Sequence, residues 1–203
     1  MTQRERARHV LESHGTTWAE EAGITLEDTP APLFQLVCLT QLFSAPIGAS
    51  VAVATMRELL DAGWTTPRHL LDSTWQERVD ALGRGGYRRY DESTATYLEQ
   101  AARMVQDRWQ GDLRRLHEEA ADAGEFPRRL QELPRIGPTG ADIFCREVQA
   151  VWPDLRPHVD DEVRAGATAV GLPTGADDLA ALVEGDDLAR LTAGLVRIGL
   201  DRD

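Results

Sequence analysis

The sequence contains no lysine: all 22 of its Lys and Arg residues are arginines, against 34 acidic residues, and the formal net charge is −12. A chain without lysine lacks a side-chain amine, which excludes mechanisms in which a lysine forms a Schiff base with the substrate. The acidity is also the reverse of the basic composition that marks most nucleic-acid-binding domains. Contacts with phosphate groups would therefore depend on arginines or on backbone N–H groups.

Cysteine is nearly as scarce as lysine. The two cysteines, Cys38 and Cys145, are too few for a disulfide framework, a structural zinc site or an iron–sulfur cluster with four thiolate ligands. The five histidines are dispersed and show no metal-ligand spacing. We therefore expect no metal and no cofactor, and we expect the protein in a reducing cytoplasm.

Charged residues are absent between Thr29 and Met56, a stretch long enough to be tested as a membrane span. Polar side chains and a break at Pro46–Gly48 interrupt it. We therefore predict two buried helices, Leu33–Phe43 and Ala49–Leu60, and no membrane partner. The first residues carry charges of both signs and lead into no apolar run, so we expect no signal peptide.

Apolar residues recur at helical spacing along almost the whole chain. Threonine marks predicted helix starts at Thr2 and at Thr66, which precedes a proline. The longest predicted helix runs from Asp91 to Arg108, and the one marked loop is Trp152–Val159. Because no segment alternates in polarity as a strand would, we predict an all-α fold of about 10–12 short helices.

The most informative segment contains Leu133-Pro134-Arg135-Ile136-Gly137-Pro138-Thr139-Gly140-Ala141. A helix is predicted to end at Leu133, a tight turn follows, and a new helix begins at once. Helix N-termini and turn amides bind phosphate oxygens without a cationic side chain, so such a hairpin allows an acidic protein to bind DNA. An ordinary corner between two helices is the alternative interpretation.

This segment resembles the helix–hairpin–helix of the endonuclease III-type DNA glycosylases of base-excision repair. The similarity extends from Pro32 to Arg164 and preserves the order of the family motifs, including the glycine-rich segment Gly83–Tyr90 and a downstream Val159–Asp160 pair. It implies an all-α fold of two helical lobes. The lobe with the hairpin would comprise residues 31–151, and the second lobe residues 1–30 and 152–203.

The resemblance implies two sets of DNA-contacting residues: in the hairpin Arg135, Ile136, Gly137 and Gly140, and in the wedge loop Ala45 and Pro46. The wedge loop of the family fills the gap left by a flipped base. Arg135 stands where the family has its first hairpin glycine, so it either alters the turn or adds a phosphate contact. Tyr87, Arg88, Arg89 and Tyr90 either contact DNA or form plain surface.

Asp160 matches the catalytic aspartate of the family. Hydrolysis of an N-glycosidic bond builds positive charge on the sugar, and a nearby carboxylate stabilises that charge and orients water. Asp161 is the alternative if the alignment slips by one residue. The competing interpretation is that one of these aspartates only caps the helix that begins at Glu162. The hairpin and Asp160 are expected to face a cleft between the two lobes.

Two departures from the family define the predicted activity. Thr139 stands where lyase-type members carry the hairpin lysine, and the C-terminal four-cysteine cluster of endonuclease III is absent. We therefore predict a monofunctional DNA glycosylase that removes a damaged or mismatched base, flipped out of double-stranded DNA, in the cytoplasm at the nucleoid. A non-catalytic helix–hairpin–helix DNA-binding protein is the alternative, and a protein-interaction domain is a weaker one.

Overall fold

The computed structural model describes residues 1–200, which form thirteen α-helices, one short 3-10 helix at Pro153–Leu155 and no strand. The predicted all-α fold is confirmed. None of the described helices is both long and apolar enough to cross a membrane. In chain order the α-helices are α1 (Gln3–His14), α2 (Trp18–Glu21), α3 (Pro30–Phe43), α4 (Ala49–Asp61), α5 (Pro67–Leu71), α6 (Trp75–Arg84), α7 (Asp91–Trp109), α8 (Leu113–Glu119), α9 (Phe126–Leu130), α10 (Pro138–Val148), α11 (Asp161–Val170), α12 (Ala176–Ala180) and α13 (Asp187–Leu200).

Threonine side chains start several of these helices. The Thr2 hydroxyl accepts a hydrogen bond from the Glu5 N–H, and the Glu5 carboxylate accepts one from the Thr2 N–H in return. Thr74 and Glu77 form the same reciprocal pair at the start of α6. Thr66 caps α5 as the sequence predicts. These caps satisfy N–H groups that a helix leaves unpaired in its first turn.

The chain forms two compact units, which are described separately. One unit comprises Glu21–Phe144, and the other comprises Met1–Glu20 with Cys145–Asp203. The predicted lobes would divide the chain at 30/31 and 151/152, and that division stays a prediction. Residues 201–203, which belong to the predicted second lobe, lie outside the described residues.

In the unit Glu21–Phe144, the uncharged stretch of the sequence is the core. Nine of the 14 residues of α3 are buried, and this helix packs against α4, α7 and α8. The end of α6 reaches α4 at Gly85, where an added Cβ would lie 2.4 Å from the Thr55 Cα. Burial on nearly all sides of α3 therefore explains the absence of charge.

In the unit of Met1–Glu20 and Cys145–Asp203, α13 packs against both α1 and α11. Glycine allows the close approach at both crossings. An added Cβ at Gly166 of α11 would lie 2.0 Å from the Leu195 carbonyl oxygen, and one at Gly194 of α13 would lie 2.8 Å from Val10 Cγ1. The core between these helices includes Val163, with further apolar side chains of α1 and α13.

Candidate nucleic-acid interface and carboxylate site

A groove of about 820 Å³ lies in the unit Glu21–Phe144. It is lined by two segments that are far apart in the sequence, the wedge loop at Phe43–Pro46 and the hairpin at Gln131–Gly140, together with Ile143. The structure thus brings together two sets of predicted site residues: Ala45 and Pro46 from the loop, and Arg135, Ile136, Gly137, Thr139 and Gly140 from the hairpin.

The hairpin is anchored by its apolar residues. After α9 ends, the N–H of Leu133 donates to the Leu130 carbonyl at 3.1 Å, and the N–H of Ile136 donates to the Leu133 carbonyl at 3.2 Å. Leu133 and Ile136 are buried. Gly140 is also buried, and a Cβ there would lie 3.3 Å from Ile136 Cγ2 and 3.4 Å from Thr40 Cγ2. Gly140 therefore serves the packing of α10 against the turn and against α3.

Arg135 adopts the left-handed conformation, with φ of +64°. This is the conformation that a glycine adopts without strain, so the arginine keeps a glycine-type turn. The side chain is exposed, and its guanidinium carbon lies 5.3 Å from the centre of the Tyr97 ring. This φ describes the turn in this chain, and both interpretations of Arg135, an altered turn and an added phosphate contact, stay predictions.

The outer side of the hairpin offers backbone donors. Ala141 N–H donates to the Gly137 carbonyl at 2.9 Å, which is the first bond of α10. Among the hydrogen bonds of residues 1–200, none is donated by the N–H groups of Gly137, Thr139 or Gly140. Gly137 and Thr139 are exposed, and a Cβ added at Gly137 would meet no atom within 4 Å. This end of α10 is open to an anion.

Acidic side chains do not oppose an anion in the groove. Among the described residues, Glu132 is the one acid that lines it, and its carboxylate pairs with the Arg108 guanidinium at 2.5 Å. The groove therefore carries little free negative charge, although the chain as a whole has a net charge of −12.

Gln41 supports the hairpin from beneath. Its side chain is 3% exposed, and its Nε2 donates to the Pro134 carbonyl at 2.7 Å and to the Tyr97 carbonyl at 3.2 Å. Its Oε1 is buried without a hydrogen-bond partner in the part of the chain that the structure describes. The amide thus links α3, α7 and the residue just before Arg135.

The wedge loop presents Pro46 rather than Ala45. Ala45 is buried, at 7% exposed, and its carbonyl accepts a hydrogen bond from the Ile47 N–H at 2.8 Å. Pro46 is exposed between them. Ser44 is held by a hydrogen bond from its hydroxyl to the Thr40 carbonyl at 3.1 Å. Of the two wedge candidates, Pro46 has the side chain open to solvent.

The segment Gly83–Tyr90 has one inward-facing residue. The Tyr87 hydroxyl is buried and donates to the Leu42 carbonyl at 2.8 Å, and burial raises the pKa of this phenol. Arg88 and Arg89 are exposed, with Arg89 5.6 Å from the centre of the Tyr90 ring. Tyr87 therefore belongs to the packing of the unit, whereas the two arginines belong to its surface.

The two candidate aspartates have opposite environments. The Asp160 side chain is 9% exposed, its Oδ1 accepts a hydrogen bond from the Val163 N–H at 3.0 Å, and its Oδ2 pairs with the buried guanidinium of Arg146. Asp160 thus caps α11. The Asp161 side chain is fully exposed, with the Arg164 guanidinium 3.7 Å away. Of the two carboxylates, that of Asp160 is the one held in place by partners on both of its oxygens.

A buried amide holds the loop that leads to Asp160. Gln149 Nε2 donates to the Thr192 hydroxyl at 3.3 Å and to the His158 carbonyl at 3.4 Å, while its Oε1 accepts from the His158 N–H at 3.0 Å. The Arg156 side chain donates to the carbonyls of Gln149 and Ala150. These bonds fix the backbone at His158, two residues before Asp160.

This chain resembles known proteins in structure but not detectably in sequence. Neither a comparison with models of protein families nor one with curated proteins found a match to this sequence. Solved structures do match. A trapped endonuclease III–DNA covalent intermediate, described as an estranged-adenine complex, has a TM-score of 0.53 and 16% sequence identity, covering 97% of this chain and 85% of that chain. A non-covalent endonuclease III–DNA complex gives the same values. The chain has an endonuclease III-like fold.

This endonuclease III-like fold contains functional candidates that sequence reasoning passed over. They are Gln41, which supports the hairpin, and Arg146 and Gln149, which hold Asp160 and the loop that leads to it. The available signal was a polar residue within an otherwise apolar helix, as at Gln41 in α3, because a buried polar group requires a partner. The identity of the partner, such as Pro134 or Asp160, was not available from the pattern.

Proposed function

We propose that this protein is a monofunctional DNA glycosylase. The observation that carries the proposal is the groove in an endonuclease III-like fold, lined by the hairpin and the wedge loop. Both solved structures named above are complexes of endonuclease III with DNA. Duplex DNA with a flipped, damaged or mismatched base is the proposed substrate, and the cytoplasm, at the nucleoid, is the proposed location.

DNA would be held chiefly through backbone donors. The N–H groups of Gly137 and Thr139 belong to exposed residues at the start of α10, donate no described hydrogen bond, and suit one or two phosphate oxygens. Contacts of this kind carry no sequence information, so they position the duplex and leave the choice of base to the pocket. They also require no net positive charge on the protein.

The proposed reaction is hydrolysis with water as the nucleophile. As the glycosidic bond breaks, its electron pair leaves with the base and positive charge develops on the sugar. Water adds at C1′ to leave an abasic site, and the proton that the water loses neutralises the departing base. Asp160 would stabilise that charge and orient the water. The helix cap and the pair with Arg146 keep the carboxylate in one orientation. Thr139 in the lysine slot supplies no amine for a Schiff base.

The iron–sulfur cluster of endonuclease III does not fit this chain. Such a cluster takes four thiolate ligands, and the sequence has two cysteines. Cys38 on α3 and Cys145 on α10 are both buried, and burial raises the pKa of the Cys38 thiol far above its ordinary value. We therefore assign no step of the reaction to a cluster.

A panel of duplexes, each with one lesion or mismatch, tests the proposal, with heat or alkali to reveal abasic sites. We expect cleavage of at least one substrate. Asp160→Asn should keep duplex affinity and lower the single-turnover rate on the order of 10²–10⁴-fold, because it removes a charge next to the reacting sugar. Asp161→Asn is the matched control and should have a much smaller effect.

A non-catalytic DNA-binding protein is the second candidate. The observation in its favour is that both carboxylate oxygens of Asp160 already have partners within the fold, namely the Val163 N–H and the Arg146 guanidinium. On this account the wild type would bind duplexes of the panel and cleave none. If instead Asp161 were essential and Asp160 dispensable, the hydrolytic mechanism would stand with Asp161 as the catalytic residue.

A further inference from the structure

The side chain of Arg135 is not required by the turn that it occupies. A φ of +64° is a conformation in which the Cβ of an L-residue is crowded, and glycine is favoured there. An arginine at this position therefore makes the fold less stable than a glycine would. A strained residue that persists is a reason to look for a function of its side chain.

The guanidinium of Arg135 forms no ion pair within the described residues. Within residues 1–200 its one described contact is the Tyr97 ring, 5.3 Å from the guanidinium carbon, and no carboxylate pairs with it. Between Gly83 and Arg146, Arg84 pairs with Glu58, Arg108 with Glu132 and Arg129 with Glu119. Arg88, Arg89, Arg115 and Arg128 also have no described ion pair, but among the described residues Arg135 is the arginine that lines the groove. In a chain of net charge −12, a cation left unpaired beside a groove is a distinctive feature.

The Arg135 guanidinium is positioned by its contact with the Tyr97 ring. A guanidinium over an aromatic face is attracted by the ring, yet at an exposed site the attraction is weak and its donors stay open to other partners. Tyr97 is itself held near the hairpin, because its carbonyl shares the Gln41 amide with the Pro134 carbonyl. The charge is therefore positioned at the groove without being neutralised.

We infer that Arg135 is a DNA-binding residue that positions the duplex: it contributes one direct phosphate contact, at the expense of fold stability, in a site otherwise built from backbone donors. The inference rests on the proposed function. A guanidinium donates two parallel hydrogen bonds to a phosphodiester, so the contact also fixes the register of the duplex on the hairpin.

The test compares Arg135→Gly with the wild type by thermal unfolding and by DNA binding. The probe is a fluorescent duplex of about 20 base pairs with a tetrahydrofuran abasic-site analogue. Arg135→Gly should raise Tm by about 2–4 °C by relieving strain. It should weaken binding on the order of 10-fold and reduce the slope of log affinity against log salt by about 0.9, the value for one lost phosphate contact.

Three variants separate charge from strain. Gln110→Gly relieves strain at the other non-glycine residue with positive φ among residues 1–200, and it should raise Tm without changing binding. Arg115→Ala removes a charge from the exposed surface of α8, away from the groove, and should leave the salt slope unchanged. Arg135→Lys keeps the charge and the strain, so it should retain the wild-type slope and Tm.

The outcomes distinguish this inference from the proposed function. If the wild type binds the duplex and Arg135→Gly binds with the same slope and affinity, the role of Arg135 is refuted while the proposed function stands. A lower Tm in Arg135→Gly with unchanged binding would show that the arginine serves the fold. If the wild type does not bind the duplex at all, both fail together.

Discussion

The carboxyl group of Glu147 is buried within the last turn of α10 and accepts hydrogen bonds from the N–H groups of Trp18 at 3.2 Å and Ala19 at 2.8 Å. It thereby caps α2 from a distance of more than a hundred residues along the chain. Burial raises the pKa of this carboxyl above its ordinary value, and the two N–H donors only partly offset that effect. The ionised form is therefore disfavoured in the folded state.

The pH dependence of stability follows from that direction. Because the folded-state pKa of Glu147 lies above the unfolded one, its contribution is fully present below the unfolded pKa and is lost as pH rises through the folded pKa. We expect the Tm of the wild type to fall over this range relative to Glu147→Gln, which has no carboxyl to ionise. A difference in Tm that is constant with pH, measured by thermal unfolding in matched buffers, would contradict the prediction.

The Gln41 side chain gives a second prediction for a single residue. Gln41→Met has a similar shape but removes both hydrogen bonds, which leaves the half-buried Pro134 carbonyl without this donor. We expect a loss of about 1–2 kcal/mol in the free energy of unfolding, moderated because the unpartnered Oε1 is removed as well. Urea unfolding measures the loss, and Gln100→Met on the exposed face of α7 is the control.

At the level of elements, the two hairpin glycines, Gly137 and Gly140, have different surroundings, which the sequence motif does not reveal. Gly140 is packed against Ile136 and Thr40, whereas the space around Gly137 is open. Gly140→Val should therefore cost about 1–3 kcal/mol of stability through overpacking. Gly137→Val should leave Tm nearly unchanged and weaken duplex binding, because the new side chain stands where a phosphate would approach.

Thermal unfolding and duplex anisotropy on both variants check this pair. The prediction concerns which property each substitution changes, so it fails if Gly137→Val unfolds at a much lower temperature or if Gly140→Val keeps full stability. A Gly137→Val variant that binds the duplex as the wild type does would remove the hairpin from the proposed DNA contacts.

Periodicity and caps predicted the helices that carry long apolar faces, and they failed where distant contacts decide. Trp18–Glu21 was not predicted, because this helix has four residues and its N–H groups are satisfied by Glu147 from another part of the chain. The helical spacing of the sequence predicts one helix over Asp112–Ala123, whereas α8 ends at Glu119 and Ala120 takes an extended conformation. Local sequence does not encode either event.

The candidate site was also predictable only in part. The hairpin was recognisable because proline and glycine mark the turn and the apolar residues mark its anchors. The left-handed conformation of Arg135 was not, since arginine rarely adopts it and the turn is held by Gln41, some ninety residues earlier. Asp160 was predicted as either a cap or a catalytic group, and its partner Arg146 became evident only in three dimensions.

For the molecule as a whole, the distribution of charge along the chain is compatible with the proposed DNA binding. Net charge acts over long range and is screened by salt, whereas the groove acts through donors within hydrogen-bond distance. Most of the acidic residues lie outside the segment that contains the hairpin: Gly83–Arg146 has 11 arginines and 11 acids, and the remaining 23 of the 34 acids lie elsewhere. Local neutrality therefore permits phosphate contacts that the overall charge would oppose.

The absence of lysine leads to a prediction about covalent chemistry. With no lysine, the N-terminal amine is the one amine that can condense with the aldehyde of an abasic site and be trapped by borohydride. We expect no trapped adduct on abasic DNA once that amine has been acetylated. Thr139→Lys places an amine on the exposed side of the hairpin, at the groove, and should create a trapped adduct that survives acetylation of the N-terminus alone. A strong adduct with the N-terminally blocked wild type would contradict this prediction, and the hydrolytic mechanism would have to be abandoned.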